Sequence, residues 1–200
     1  MEPKLRYLFV ALFLSILISS CSDDDTNPQD LDSSAQANYD LYSLILKDRF
    51  GDFDYYVISE RTSKYEPSPF EEGFYGDREA LKALDSSTVE NYIAANDSIY
   101  SLEKNFSVAP KEVELITKER FDEIFQKDGV INGWETFYTA YPDSKGYIIF
   151  GSIGYNDSKT EAIVEVAHVY GSLGADGLMI VLENKNGEWK VRQTVHLWIS

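Results

Sequence analysis

"GYIIFGSIGYNDSKTEAIVEVAHVYGSLGADGLMIVLENKNGEWKVRQTVHLWIS", residues 146–200, decides the reading of the fold. Its β-branched and aromatic residues come in short runs broken by Asn, Asp, Ser and Gly. Where apolar and polar residues alternate, the period is the two residues of a pleated strand, whose side chains point to opposite faces. The stretch predicts four strands, at 147–155, 160–170, 177–183 and 188–199. The links are 156–159, the glycine-rich 171–176 and 184–187; the first and last place Asn, Asp or Gly where a hairpin turn needs positive φ. In the last strand Trp189, Val191, Val195, Leu197 and Ile199 fall on one face, with Lys190, Arg192, Thr194, His196 and Trp198 on the other. One side of the sheet is therefore expected to be core.

Upstream the period lengthens. Residues 38–50 place Tyr39, Tyr42, Ile45 and Leu46 on one helical stripe, with Gly51 beyond its end. Asp54–Arg61 reads as a strand, and 64–77, rich in Pro and Gly, as a loop. Asp77 can cap a helix at 78–84, and Ser87-Thr88-Val89-Glu90 has the capping-box spacing for another reaching Ala95. Glu112–Ile116 is a short strand. Thr117 then caps a helix over 118–127, ended by Gly129, and 133–142 predicts one to two further turns stopped by Pro142. Helices first and a sheet last imply an α+β domain, its N-terminal helices packed on a C-terminal four-stranded antiparallel meander.

The N-terminus carries an address. Lys4 and Arg6 precede the apolar run 7–18 and two serines, the order of a secretory signal peptide. The run is shorter than the ~20 apolar residues that span a bilayer. Ile18-Ser19-Ser20-Cys21 resembles the lipobox of bacterial lipoproteins. That resemblance implies cleavage before Cys21, a diacylglycerol thioether on its sulfur and an acyl chain such as palmitate on its new amino group. Several chains anchor stably where one is marginal, each buried CH₂ contributing roughly 0.8 kcal/mol. Ser22-Asp23-Asp24-Asp25 resembles the export tag of surface-exposed lipoproteins in double-membraned bacteria. It implies a protein of the outer membrane facing the cell surface, with a periplasm-facing domain as the alternative. The expected organisation is a signal peptide at 1–20, a flexible acidic tether at 21–36 and a single domain at 37–200.

Charge and cysteine count narrow the function. The chain carries −16 and its first twenty residues +1, which leaves −17 on the remainder. Such a surface opposes nucleic acid, whose capture depends on Lys and Arg. It also opposes docking on anionic lipid through protein groups. Contact with the membrane is expected through the lipid on Cys21, and the protein or small-molecule partner is open. Cys21 is the one cysteine, so no disulfide or thiolate chemistry is expected in the domain. Stability must come from packing, for which fourteen Tyr, eleven Phe and three Trp are available.

The block from Gly133 to Ser200 resembles a family of small, exported bacterial proteins without an assigned activity. The resemblance rests on Trp134, Phe137-Tyr138, Tyr141-Pro142, Gly146, Ser152-Ile153-Gly154-Tyr155-Asn156, Gly171, Gly174, Gly177, Gly187, Trp189 and Trp198-Ile199-Ser200. It covers roughly residues 100–200. Relatives carry a cysteine pair in the loop matching 169–175, and this chain has none there. The resemblance implies a fold and no catalytic residues.

Chemistry-bearing residues are sparse. His168 precedes the glycine-rich loop and could act as a base with Asp176 or Glu165. Glu165 is the weaker partner because three positions along a strand place it on the opposite face. A core histidine bonded to backbone is the plainer reading. No second histidine stands at ligand spacing, so no metal is expected, and no cofactor is implied. Gly171–Gly177 opens no helix and so lacks the amides of a phosphate loop. No nucleophile elbow surrounds any serine, Ser172 included. Asp52, Asp54, Glu71, Glu72 and Asp77 lack the spacing of a calcium loop and read as a solvated rim. Trp134, Phe137, Tyr138, Tyr141 and Tyr155 offer flat faces with polar tips that suit a carbohydrate or peptide groove, although aromatics at helical spacing usually fill cores. The candidate ligand-binding residues are thus Trp134, Tyr138, Tyr141, Tyr155, His168 and Asp176.

The function expected first is a membrane-anchored, non-enzymatic binding domain. Alternatives are a hydrolase-like enzyme using His168 with Asp176 or Glu165, and an immunity or inhibitor protein whose acidic face blocks a basic partner.

Overall fold

Two long hairpins organise the chain. Strands β5 (Glu161–Gly171), β6 (Gly174–Lys185) and β7 (Glu188–Ile199) pair antiparallel in sequence order. The β6–β7 turn is Asn186-Gly187, with φ of 59° and 85°. Both positive values are what a two-residue turn matched to strand twist requires. The computed structural model describes residues 28–64, 70, 81–126 and 129–200. The lipobox-like segment, most of the 64–77 loop and residues 78–80 of the expected 78–84 helix lie outside them; 81–84 form turns rather than an α-helix.

The expected meander, with helices covering it, is not what forms. The sheet has seven strands in the order β2-β1-β3-β5-β6-β7, with β4 also paired to β5. Strand β1 (Tyr55–Ser59) runs parallel to β2 (Glu112–Ile116) on one side and to β3 (Tyr147–Phe150) on the other. The fold is therefore mixed α/β, mostly antiparallel with a parallel edge. The cause is visible in β1 itself. Tyr56 and Ile58 are buried against one layer and Val57 against another. A strand apolar on both faces belongs inside a sheet covered on both sides.

The expected first strand of the meander is also interrupted. It becomes β3 and the two-residue β4 (Gly154–Tyr155), both paired to β5, with Gly151–Ile153 between them. In β7, Val181 faces Gln193 but Leu182 faces Val191, so Arg192 is an extra residue; a second shift leaves Leu197 extra. Each bulge reverses which face the following side chains occupy. Trp189 and Val191 consequently pack on one core and Val195 and Leu197 on another, which corrects the single face expected for them.

Helices cover both faces. Helix α1 (Pro28–Arg49) lies alone on the first, burying Tyr39, Tyr42, Ile45 and Leu46 against Ile148, Phe150, Val164, Val166 and Ile180. Its described range starts at Pro28, inside the stretch read as tether. Burying Ile45 and Leu46, both with no exposed surface, contributes about 1.5–3 kcal/mol each.

On the second face, α2 (Ser86–Ala95) packs Tyr92 over Ile163, Met179 and Val181. Beside it, α3 (Lys118–Phe125) and α4 (Gly129–Ala140) cover Val57, Ile116 and Tyr147. Asp85 and Thr117 cap α2 and α3 by accepting from Ser87 N–H and Arg120 N–H. Gly129, expected to end α3, is the first residue of α4. The helices of the second face lie on the connections that carry the chain from β1 to β2 and from β2 to β3, as parallel strands require.

Candidate functional site

Most of the predicted aromatics are structural. Trp134 is buried in a cluster with Phe125, Phe137 and Tyr147, stacked on Tyr147 at 5.9 Å. Tyr138 donates its hydroxyl to the Tyr170 carbonyl at 2.9 Å, fastening α4 to the end of β5. Trp134 is enclosed by these rings, and Tyr138, half-buried, rests against Trp134 and Phe137. Tyr141 and Tyr155 differ, because each lines a cavity.

Tyr141 borders an open groove of about 630 Å³ where the first residues of β1 and β2 meet the end of α4. Asp54, Tyr55, Glu112, Asp143 and Lys145 complete its charged and aromatic lining. Lys145 is paired with Asp52 at 2.6 Å. That bond holds the exposed Asp52 carboxyl below the usual carboxylate range. Tyr55 donates to Glu114 at 3.1 Å, and burial followed by that carboxylate pushes its phenol up. Of the five acidic residues grouped from the sequence, Asp54 lines this groove, Asp52 borders it through Lys145, and Glu71, Glu72 and Asp77 lie outside the described residues. Among the described residues, no group of three or more His, Cys, Asp or Glu could hold a metal.

His168 and Asp176 are cross-strand partners on β5 and β6. Their closest approach, Nδ1 to Oδ1, is 3.7 Å, beyond a hydrogen bond. Nε2 lies 2.7 Å from the Lys145 carbonyl, which can only accept, so Nε2 carries the proton. The ring is enclosed by Phe50, Phe53 and Tyr170. Burial lowers its pKa, while the Lys145 carbonyl and the Asp176 carboxylate oppose that shift. Glu165 projects from the other face of β5, where Tyr92 packs. The geometry therefore brings His168 to Asp176 without bonding them and keeps Glu165 away from both. Ser172 sits in the tight β5–β6 turn.

Tyr155 belongs to a different environment. Residues Gly151–Tyr155 form a wall between α1 and α2, set by three contacts. Asn96 clamps Ser152, accepting its N–H at 2.8 Å and donating to its carbonyl at 2.9 Å. Tyr42 donates to the Gly151 carbonyl at 3.0 Å. Gly154 lets the backbone of α2 approach, since a Cβ there would lie 2.3 Å from the Tyr92 Cα.

Two cavities flank this wall and share Asn38 and Ile153. One, about 330 Å³, is lined by Tyr39, Tyr42, Thr62, Tyr100 and Leu102 among others. The second, about 380 Å³, is lined by Tyr155, Trp189, Asn184 and Lys159. Tyr155 donates to Asn38 Oδ1 at 2.9 Å and meets Trp189 edge to face at 5.8 Å. Burial, then the Asp40 carboxylate, raises its phenol well above the ordinary value. Among the described residues, no carboxylate lines either cavity and Lys159 is the one charged residue that does.

Sequence reasoning found Tyr155 but missed Asn38, Asn184 and the role of Trp189. The first opens the expected helix at 38–50, the second lies in an expected turn, and the third on an expected core face. Compared with known protein families, with curated proteins and with solved structures, the chain matches none.

Proposed function

We propose that the protein is an envelope lipoprotein, held at the outer membrane through lipid on Cys21, whose domain is a non-enzymatic binding module. Its ligand site is the pair of cavities around Asn38 and Ile153. One observation carries the binding reading. In a chain of net charge −16, no carboxylate among the described residues lines either cavity, and rings, amides and hydroxyls are prominent in both. A surface selected only for solubility spreads acidic groups, whereas a ligand site combines apolar walls with a few oriented polar groups.

The anchoring part rests on the order of residues at 1–25. On this reading membrane attachment depends on Cys21; no described helix is long and apolar enough to cross a membrane. Fractionation of the natural chain and of Cys21→Ala tests it. The natural chain is expected in the membrane fraction and Cys21→Ala outside it. Retention of Cys21→Ala with the membrane overturns the anchoring.

The groove bordered by Asp54, Glu112 and Asp143 supports a second reading, an inhibitor that blocks a basic partner. A complex of that kind weakens steeply with added salt. A partner complex insensitive to salt excludes it.

A further inference from the structure

We infer that the cavity between Tyr155 and Trp189 takes a neutral carbohydrate, with its hydroxyls on the amides of Asn38 and Asn184 and its C–H face on the aromatic rings. The inference rests on the binding reading above and names the ligand class for the same wall.

Three observations converge. The first is the pairing of donors and acceptors. Asn38 uses Oδ1 to accept from Tyr155, and Asn184 uses Oδ1 to accept from Gly187 N–H at 2.9 Å. The Nδ2 group of each makes no hydrogen bond among the described residues. Each side chain is thus oriented by a bond on its oxygen while its nitrogen keeps two donors. Fixed amides with unused donors suit hydroxyl oxygens, which accept without carrying charge.

The second observation is ring surface. Trp189 is half-buried, packed on one side against the α1-face core and Tyr155, and it lines the cavity. An aromatic ring that is apolar across its faces and held rigidly gives a pyranose a surface to stack on at small entropic cost. The third is that no carboxylate among the described residues lines the cavity, which disfavours a cationic ligand, while the exposed Lys159 is too little to hold an anion. An uncharged ligand with both polar edges and an apolar face remains. The cavity is about large enough for one or two sugar rings, and the neighbouring cavity across Asn38 and Ile153 allows a longer chain to continue toward Tyr100.

The test is calorimetric titration of the intact protein in a detergent without a sugar headgroup. Probes are neutral oligosaccharides of glucose, mannose, galactose and N-acetylglucosamine, an anionic galacturonate oligomer and an uncharged capped tetrapeptide. The expected result is binding of a neutral oligosaccharide, with the galacturonate oligomer at least about tenfold weaker. Asn38→Asp keeps the acceptor for Tyr155 and removes the donors; it should weaken the neutral sugar about tenfold without unfolding the chain. Trp189→Ala should weaken it by at least as much, and Trp189→Phe should recover part of the loss. If Trp189→Ala fails to fold, Asn38→Asp decides alone. Sugar binding that Asn38→Asp leaves unchanged overturns the site. If only the tetrapeptide binds, and Asn38→Asp weakens it, the carbohydrate assignment falls while the binding reading stands. No heat with any probe overturns both.

Discussion

Glu161 and Glu165 stand on the same face of β5, both buried, and are held in opposite ways. Glu161 accepts from Asp85 N–H at 2.9 Å and Thr88 Oγ at 2.8 Å, and its other oxygen pairs with Arg192 at 2.7 Å. Arg192 is the bulged residue of β7, so the bulge delivers a cation to the face where the carboxylate needs one. Glu165 accepts a long bond from Tyr92, at 3.3 Å, and its Oε1 has no hydrogen-bond partner among the described residues. Burial pushes its pKa up to about 7, with Tyr92 and the nearby Trp198 indole holding it back in part.

That contrast sets a pH dependence. The Glu165 proton is bound more tightly in the folded chain than in the unfolded one, whose carboxyl titrates near 4.5. Its contribution to stability is complete below 4.5, declines as pH rises and is lost as pH passes about 7. Glu165→Gln, which stays neutral, should therefore gain about 1–3 kcal/mol on the natural chain between about pH 5 and pH 8. Urea unfolding of both proteins at the two pH values measures the gain. A stability difference that does not move with pH would show that the carboxyl is not confined as described.

His168 should behave as a structural histidine with its proton on Nε2. Its enclosure by aromatic rings favours the neutral ring, and its bond to the Lys145 carbonyl fixes the proton on Nε2. Nitrogen-detected NMR at neutral pH is expected to show the Nε2–H tautomer and a pKa below 6.5. The sign is the reverse of Glu165: the unfolded chain binds this proton more tightly, so acidification below 6.5 destabilises through His168. An Nδ1–H tautomer would contradict the contact with Lys145 and reopen a pairing with Asp176.

Gly154 and Gly187 separate two reasons for glycine. At Gly154 an added Cβ would strike the α2 backbone at Tyr92, from 2.3 to 2.5 Å. Gly154→Ala should cost about 1–3 kcal/mol and roughly 3–10 °C in Tm, with the loss felt at the cavity wall. At Gly187 nothing lies within 4 Å, and only the φ of +85° resists a side chain. Gly187→Ala should cost about 1 kcal/mol and leave the wall unchanged. Thermal melts rank the two, and equal losses would mean that α2 does not press on β4.

What the sequence could tell follows from how local each signal is. Strands β5, β6 and β7 were legible because alternation and Asn186-Gly187 act over a few residues. The parallel edge was not, because Val57 meets Tyr147 only after α2, β2, α3 and α4 have intervened. Nothing in the composition of Tyr55–Ser59 names its neighbours, although apolar side chains on both faces hinted at a central strand. The faces of β7 were misread because bulges at Arg192 and Leu197 obey the partner strand rather than their own residues. The same holds at the site. Tyr155 stood out as an aromatic, but Asn38, Asn184 and Trp189 come from α1, β6 and β7 and gain meaning only when Tyr155 joins them.

The parallel edge also dictates an order of events in time. Strands β5 to β7 can pair with near neighbours as soon as they exist, whereas β1 cannot be enclosed until β3 has been placed beside β5. Contacts between distant segments are slow because loop entropy must be overcome before they stabilise anything. Strands β5 to β7 follow β1 and β2 along the chain, so those earlier strands wait for β3 and β5 to complete the sheet. Completion of the sheet is therefore paced by the closure of β1 against β3 rather than by the formation of the hairpins.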